Sequence, residues 1–461
     1  MRPCADAAGH TPCSHGLRTG RSERGHGIGG YRVRVTVLLF VVGIVVMIVG
    51  LAVSIALHEL GHLWPAKRFG VRVGQYMIGF GPTLWSRRIG ETEYGFKLLP
   101  LGGYISMAGM YPPSPRGAQA EGRAGGGFFA TMVQDARAAN DETLVGDDDD
   151  RVFYRLPVWK RVVVMLGGPV MNLLLAIVLF AIVFTGIGVQ TATATVASLA
   201  ECVPATSASE CTSTDPAPPS LGAGFEPGDT ILTVDGTAVS TFEDVAAIVQ
   251  ASPGKSLRVV VDRDGAEQTL TVTPATITAT ADSTAEIGYL GVRPTVEFVR
   301  QPIWEGPAMA LQNVGQVAGI IVQLPVKIYE TAVALFTGGE RDPNGPLSVV
   351  GVGVIAGEVA SADAPVLNRI SATLGLLGSL NIALFVFNLI PLLPLDGGHV
   401  VVALWDGIKR AWAKLFRRPP PKPVDATKLV PVTFVVVVLL IGMGAILILA
   451  DLFNPVSILG N

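Results

Sequence analysis

The sequence predicts a polytopic α-helical membrane protein, with about four transmembrane helices and an α+β domain on the outer side of the bilayer. Three observations carry that expectation. Only 15% of the 461 residues are charged and 49% are hydrophobic, whereas a soluble domain carries about 25% charge. The charges are unevenly spread, so that long runs contain none. Lys and Arg gather in some of the intervening segments and thin out in another, as they do when loops alternate across a membrane.

Three charge-free runs exceed the roughly 20 residues a helix needs to cross the hydrocarbon: Val35 to Leu57, Val162 to Gln190 and Leu429 to Ala450. A fourth, Ile370 to Leu395, is interrupted by Asn381, Asn388 and prolines, which predicts a helix with a functional break. Val314 to Phe336 contains Gln316, Gln323, Pro325, Lys327 and Glu330. It reads as an amphipathic helix lying on the membrane surface.

Thirteen Lys and Arg lie in 63–161 and seven between Gly397 and Lys428, against seven in the long segment from Thr191 to Pro365. Cytoplasmic loops collect these residues, so the first and third loops are expected inside and the large middle loop outside. The first span then runs inward and ends in His58-Glu59-Leu60-Gly61-His62. The run from Ile370 also runs inward and ends near Asn388 to Asp396. Two polar clusters distant in the chain thus reach one level of the bilayer. The six Arg ahead of the first span oppose this orientation. They fall in 1–34, which is Gly- and Arg-rich without apolar periodicity and reads as a disordered leader or a misassigned start.

His58 and His62 are four residues apart, so on a helix they share one face and can share a cation. Imidazole suits zinc, and the adjacent Glu59 is placed to hold an attacking water as general base. Short HExxH matches arise by chance on surface helices. Here the motif follows 23 apolar residues, and ionisable groups at membrane depth are expensive and by default functional. A catalytic zinc site usually has three protein ligands and one open position. Of six histidines three are in the leader, which leaves His399 and the carboxylates. Spacing alone does not choose between Asp396 and His399 in Leu395-Asp396-Gly397-Gly398-His399.

Together, His58-Glu59-Leu60-Gly61-His62, Leu395-Asp396-Gly397 and Gly168-Pro169-x-x-Asn172 resemble the site-2 protease family of intramembrane zinc metalloproteases, in its RseP-like branch. The likeness extends through Ile78-Gly79-Phe80-Gly81-Pro82 and Leu98-Leu99-Pro100-Leu101-Gly102-Gly103-Tyr104, and covers nearly all of Val35 to Leu452. The resemblance implies Zn2+ as cofactor, Glu59 as catalytic base, and His58, His62 and Asp396 (not His399) as metal ligands. It implies that Asn388 helps to hold substrate and the developing oxyanion. It also implies that Glu93 to Tyr104, with Gly102 and Gly103, belongs to a re-entrant β element beside the catalytic helix. Such an element is allowed at membrane depth only where its backbone is shielded, and its edge can capture an unwound substrate by strand addition. A catalytic part for Asn172 is the weaker expectation, since a polar residue near a helix start often bonds a neighbouring backbone.

In the outer loop, Ala223-Gly224-Phe225-Glu226-Pro227-Gly228-Asp229 leads into a strand. A short helix over Asp244 to Ala251 follows, then strands over Ser256 to Val261 and Glu267 to Val272 about a turn at Asp264-Gly265. This resembles a single PDZ domain over 195–275, a fold whose groove takes extended peptides. Cys202 and Cys211 flank a polar loop there and can form a bridge in an oxidising compartment; Cys4 and Cys13 fall in the leader. Asp147 to Asp150 reads as a solvated insertion. Leu404, Trp405, Ile408, Ala411, Trp412, Leu415 and Phe416 form an apolar stripe opposite Lys409, Arg410, Lys414, Arg417 and Arg418, as in an interfacial helix drawn to anionic lipid.

The chain accordingly divides into the leader (1–34), a first catalytic membrane part of two spans and a cytoplasmic loop (35–190), the PDZ-like domain (195–275), a linker with amphipathic helices (276–366), and a second catalytic membrane part of two spans and the basic helix (367–452). The resemblance implies regulated intramembrane proteolysis in the inner (plasma) membrane, with the PDZ-like domain extracytoplasmic and the active site near the cytoplasmic face. Its expected substrates are single-span proteins such as anti-sigma factors first cut by an upstream extracytoplasmic protease, or remnant signal peptides. A net charge of −3 without a basic stripe gives no sign of nucleic acid. A non-catalytic scaffold would be expected to have lost the base or a ligand. A metal transporter would show repeats or a path of polar sites, and the sequence has neither.

Overall fold

The computed structural model describes residues 28–112, 128–144, 150–206, 211–212, 215–279, 285–419 and 421–456. Helix α1 (Ile28–Arg68) begins ahead of the apolar run at Val35 and carries it through the HExxH segment. Most of the 1–34 leader lies outside the described residues, but the helix starts within it, at Ile28. Lys67 and Arg68 in the last turn suit the negative end of the helix dipole, and Gly70 at φ +85° ends the helix.

The chain next forms an antiparallel hairpin, β1 (Val73–Ile89) and β2 (Thr92–Met107). Gln75 to Ile78 pair with Gly103 to Ser106, the register shifts around Phe80, and Thr83 to Ile89 pair with Thr92 to Lys97. The near half packs on α1, where Tyr76 donates to the Ala56 carbonyl at 2.7 Å. The far half exposes Phe80, Leu84, Trp85, Ile89, Phe96 and Leu98.

A short helix, α2 (Phe128–Asp141), follows. Helix α3 (Val158–Ala181) then turns back beside α1 and widens into a π-helical turn at Ile182–Ile187. The two helices touch backbone to backbone: a Cβ on Gly61 would stand 2.2 Å from the Gly167 carbonyl oxygen. Of the predicted insertion Asp147 to Asp150, only Asp150 is within the described residues.

The middle unit holds β3 (Val189–Leu199), the short helix α4 (Pro219–Ala223), β4 (Thr230–Val234), β5 (Thr237–Ala238), α5 (Phe242–Gln250), β6 (Leu257–Arg263), β7 (Ala266–Val272), β8 (Ala275–Thr278), β9 (Glu286–Tyr289) and β10 (Val292–Val299). Its main sheet runs β10-β3-β4-β6-β7, with β5 on β4. Val196, Ile231, Val234, Val245, Val259 and Val261 are buried between sheet and α5. Thr241 and Asp244 form a reciprocal capping box at the start of α5. Asp264 and Gly265 both have positive φ, which a two-residue hairpin turn needs.

The sheet extends beyond 195–275 at both ends. Val189 and Gln190, counted with the second apolar run because β3 carries no charge, begin a strand. Val292–Val299 pairs with it as an edge strand, the place where its Pro294 is tolerated. Cys202 and Cys211 are bonded, with Cα atoms 5.8 Å apart.

Four further long or medium helices complete the bundle: α6 (Glu305–Thr337), α7 (Val349–Ser361), α8 (Val366–Asn388) and α10 (Val430–Phe453). Helix α9 (Asp396–Leu415) lies between the last two in sequence. Its Leu404, Trp405, Ile408, Trp412 and Leu415 are exposed, as the interfacial reading expects. Among the described residues, five helices are long and apolar enough to cross a membrane, one more than the four expected; the fifth is α6. Ala176, Phe180, Ala310 and Ile382 bury one another between α3, α6 and α8. Two buried ion pairs fasten the bundle, Arg161 to Asp406 at 3.0 Å and Arg341 to Asp451 at 2.5 Å.

Candidate active site

The last turns of α1 present His58, Glu59 and His62 toward α3 and β2, with Glu59 and His62 buried. From the far end of the chain, α8 stops at Asn388 and the prolines at 391 and 394 prevent its continuation. Helix α9 begins at Asp396, so that the carboxylate sits in a first helical turn where negative charge is favoured. Gly397 and Gly398 let the connecting loop lie directly on this turn. Cβ atoms there would be 2.4 Å from the Leu389 carbonyl oxygen and 2.5 Å from the Leu393 nitrogen.

Three ligand atoms converge. His58 Nε2 and His62 Nε2 are 3.2 Å apart, and Asp396 Oδ2 lies 3.3 Å and 3.4 Å from them. Ligands about 2.0–2.1 Å from a tetrahedral ion are separated by about 3.3–3.4 Å, so the triangle has the edge length a zinc ion imposes. Asp396 Oδ2 is buried and accepts no hydrogen bond, an expensive state for a carboxylate oxygen unless a cation compensates it. His58, His62 and Asp396 are the group of metal-ligating side chains found among the described residues, and they fit zinc. His399 does not join them; its ring stacks on Tyr111 at 6.3 Å.

Outer contacts set the ring orientations. His62 Nδ1 lies 2.8 Å from the Val164 carbonyl oxygen; as donor there it leaves the Nε2 lone pair facing Asp396. The Asn172 amide is 3.1 Å from His58 Nδ1, while Asn172 Oδ1 has no partner. Amide orientation is assigned from such networks. Turning the amide lets Oδ1 accept the Nδ1–H, which again frees Nε2. Gly168, one helical turn before Asn172, makes room: a Cβ there would be 2.2 Å from His62 Nε2. Asn172 is thus better placed than its weak sequence signal implied. The signal was available, since positions 168 and 172 share a face of α3. The Val164 carbonyl, being backbone, left none. Ser54 and Asn381, bonded at 2.9 Å between α1 and α8, were also missed as a pair.

A cavity of about 300 Å³ opens beside the triangle, lined by His58, Glu59, Gly102, Gly103, Asn172 and Asn388 on its polar side and by α1, α7 and α8 elsewhere. The sequence-predicted Gly102, Gly103 and Asn388 line the same cavity as Glu59. A Cβ on Gly103 would be 2.9 Å from Glu59 Cγ, and one on Gly102 would be 2.2 Å from Phe80 Cε2. The Asn388 amide nitrogen donates to the Leu384 carbonyl at 3.0 Å.

A metal triangle with a buried carboxylate beside it, set in an apolar helical bundle, defines a membrane-embedded zinc metalloprotease. The chain belongs to Peptidase family M50, the site-2 proteases, whose sequence profile matches residues 46–418. It is 35% identical over 443 residues to the zinc metalloprotease Rip1 of Mycobacterium tuberculosis, covering 91% of this chain and 100% of that protein. Against Rip1 of Mycolicibacterium smegmatis identity is 34% over 444 residues, with 91% and 100% covered. The metalloprotease MmpA of Caulobacter vibrioides is 27% identical over 394 residues, covering 80% of this chain and 88% of that one.

Proposed function

We propose that this zinc protease cuts single-span membrane proteins within the bilayer, near its cytoplasmic face, as the intramembrane step of regulated proteolysis. The observation that carries the reading is the 3.2–3.4 Å triangle of His58, His62 and Asp396, assembled from α1 and α9 directly beside Glu59. When bound there, zinc supplies a Lewis acid and lowers the pKa of water. Glu59 takes the proton of the attacking water and returns it to the leaving amine, a role worth 10²–10⁴-fold in rate. Asn388 donates toward the oxyanion once a substrate displaces its bond to Leu384. The β2 edge at Gly102 and Gly103 receives the unwound substrate by strand addition, next to Glu59.

The topology supports four crossings. Gly306, at the start of α6, packs on Ala181 near the end of α3, and Asn454, at the end of α10, bonds Gly339 just past the end of α6 at 3.0 Å. Both ends of α6 thus meet the site-distal ends of crossing helices, so α6 leaves and returns on one side, as an amphipathic surface helix does. With an even number of crossings between α3 and α8, His62 and Asp396 share one face and the middle unit lies on the other. That unit, in this reading, is an extracytoplasmic PDZ-like domain. Its groove between α5 and the segment Gly288 to Val292 screens substrates already trimmed by an upstream protease. Anti-sigma factors and remnant signal peptides are the substrate types that suit this arrangement.

The test is Glu59→Gln in liposomes carrying a tagged single-span substrate. Zinc content should stay at wild-type level while cleavage falls at least a hundredfold; wild-type cleavage would remove Glu59 from the chemistry. Cysteines placed at Arg68 and Lys409 should react with an impermeant thiol reagent from the same side, and one at Asp264 from the opposite side. Labelling of 68 and 409 from opposite sides would overturn the topology.

A further inference from the structure

On the far side of the Gly61–Gly167 contact from the site, α1 and α3 enclose a second groove, of about 520 Å³. From α1 it is lined by Leu60, Gly61, Trp64 and Pro65, and from α3 by Val163, Leu166, Gly167, Val170 and Met171. No charged residue is among these. Trp64 is 72% exposed and Val163 and Val170 over 40%, so the groove opens outward into the region the spans assign to lipid. Gly167 floors it, while the next residue, Gly168, faces His62.

The two lining stripes run on to cations. One turn beyond Trp64, on the same face of α1, comes Arg68. One turn before Val163, on the same face of α3, comes Lys160. Lys160 Nζ stands 5.2 Å over the Phe69 ring and 5.6 Å from that of Trp159, and these two rings meet edge to face at 5.4 Å across the helix ends. Neither Arg68 nor Lys160 has an ion-pair partner among the described residues. The neighbouring Lys67 differs: it bonds the Tyr94 hydroxyl at 2.8 Å.

We propose that this groove binds one anionic glycerophospholipid, with an acyl chain along the Gly61–Gly167 floor and the phosphate diester between Arg68 and Lys160. Apolar walls, a floor narrowed to two glycines, and two cations at one end that have no ion-pair partner among the described residues are the complement of such a molecule. A helix from a second copy or from a substrate would satisfy the walls and leave the cations without partners. The site is separate from the proteolytic cavity, and its test does not depend on cleavage.

The test is native mass spectrometry of the full chain released from micelles holding equal phosphatidylglycerol and phosphatidylcholine. Each cation near an anionic headgroup adds roughly fivefold, so wild type should retain phosphatidylglycerol about thirtyfold over phosphatidylcholine. Arg68→Gln with Lys160→Gln should bring that ratio to about one. Val163→Trp, which fills the groove and spares both cations, should abolish retention of either lipid. A photocross-linking residue at Val163 in liposomes should capture phospholipid. Equal retention by wild type, an unchanged preference in the double variant, or a cross-link to a second copy or a substrate protein would each overturn the assignment.

Discussion

Replacing Gly168 by alanine tests the metal centre without touching a ligand. The new methyl would stand 2.2 Å from His62 Nε2, 2.7 Å from its Cε1 and 2.8 Å from His58 Nε2, where non-bonded carbon contacts need about 3.5 Å. One partner must yield by about 1 Å. The His62 ring is tethered by its 2.8 Å bond to the Val164 carbonyl. Helix α3 can give way only by withdrawing from α1, which would open the Gly167–Gly61 backbone contact. Ligand distances tolerate only about 0.2 Å, so a shift of this size takes His62 out of the set. Loss of an outer-shell contact alone lowers metal affinity 10–100-fold; loss of a ligand should exceed 100-fold, or about 2.7 kcal/mol. The assay is competition for zinc against a chromogenic chelator, with helicity followed by circular dichroism. Gly442→Ala in α10, where a methyl meets nothing within 4 Å, is the control. Zinc affinity in Gly168→Ala within threefold of wild type would refute the reasoning.

Asn172→Ala should weaken zinc binding 10–100-fold by freeing the His58 ring, whereas Asn172→Asp, which keeps an acceptor at Nδ1, should restore most of it in the same competition assay. Arg161→Ala removes the 3.0 Å partner of the buried Asp406 and leaves it Lys409 at 3.2 Å and the Val424 N–H, so it should cost about 1.5–3 kcal/mol of stability; pairing Arg161→Met with Asp406→Leu should recover most of that, as thermal unfolding in detergent would report. The middle unit should loosen in acid. Burial pushes the Asp229 carboxyl up, but the Arg263 guanidinium and the Glu226 backbone N–H outweigh it, and the group titrates below its ordinary value of 3.8. A carboxyl held low when folded stabilises above that ordinary value and loses the contribution as pH falls through the folded value. Hydrogen exchange in β4 and β6 should therefore accelerate below about pH 4 and be insensitive between pH 6 and 8, and Arg263→Ala should remove the acid step.

The HExxH segment was legible because a charged motif at the end of an apolar run has few other uses, and its helix follows from the run itself. The spans were legible for the same reason, and so was the α5 and β6–β7 part of the middle unit, whose alternation and Asp-Gly turn are local signals. The edges of that unit were not. Strand β3 has the composition of a membrane run, and β10 carries a proline, so each looks like something else until they are paired. Helix α6 shows the limit of composition more sharply. It is long and apolar enough to span, and it is tertiary contacts, among them Gly306 on Ala181 and Gly339 on Asn454, that bear on whether it crosses. Spacing could not separate Asp396 from His399 either. The distinction lies in the loop 389–395, whose packing on Gly397 and Gly398 turns Asp396 inward and leaves His399 to Tyr111.

Glycine recurs wherever another element approaches the motif: Gly167 against Gly61, Gly168 against His62, Gly103 against Glu59, Gly397 and Gly398 against the loop that precedes Asp396. Each allows an approach that a single methyl would prevent, and the approaches come from different sides of α1. A ligand triangle with 3.2–3.4 Å edges demands that three side chains from α1 and α9 be held to a few tenths of an ångström. In a bilayer, helices gain no hydrophobic drive toward one another and associate through close packing of small residues. The same glycines that let the helices pack in lipid therefore also fix the ligands. Tight packing leaves little slack for a substrate near the metal. Among the described residues, the cavity bounded by β2, α7 and α8 is lined by Glu59, whereas the groove between α1 and α3 is not.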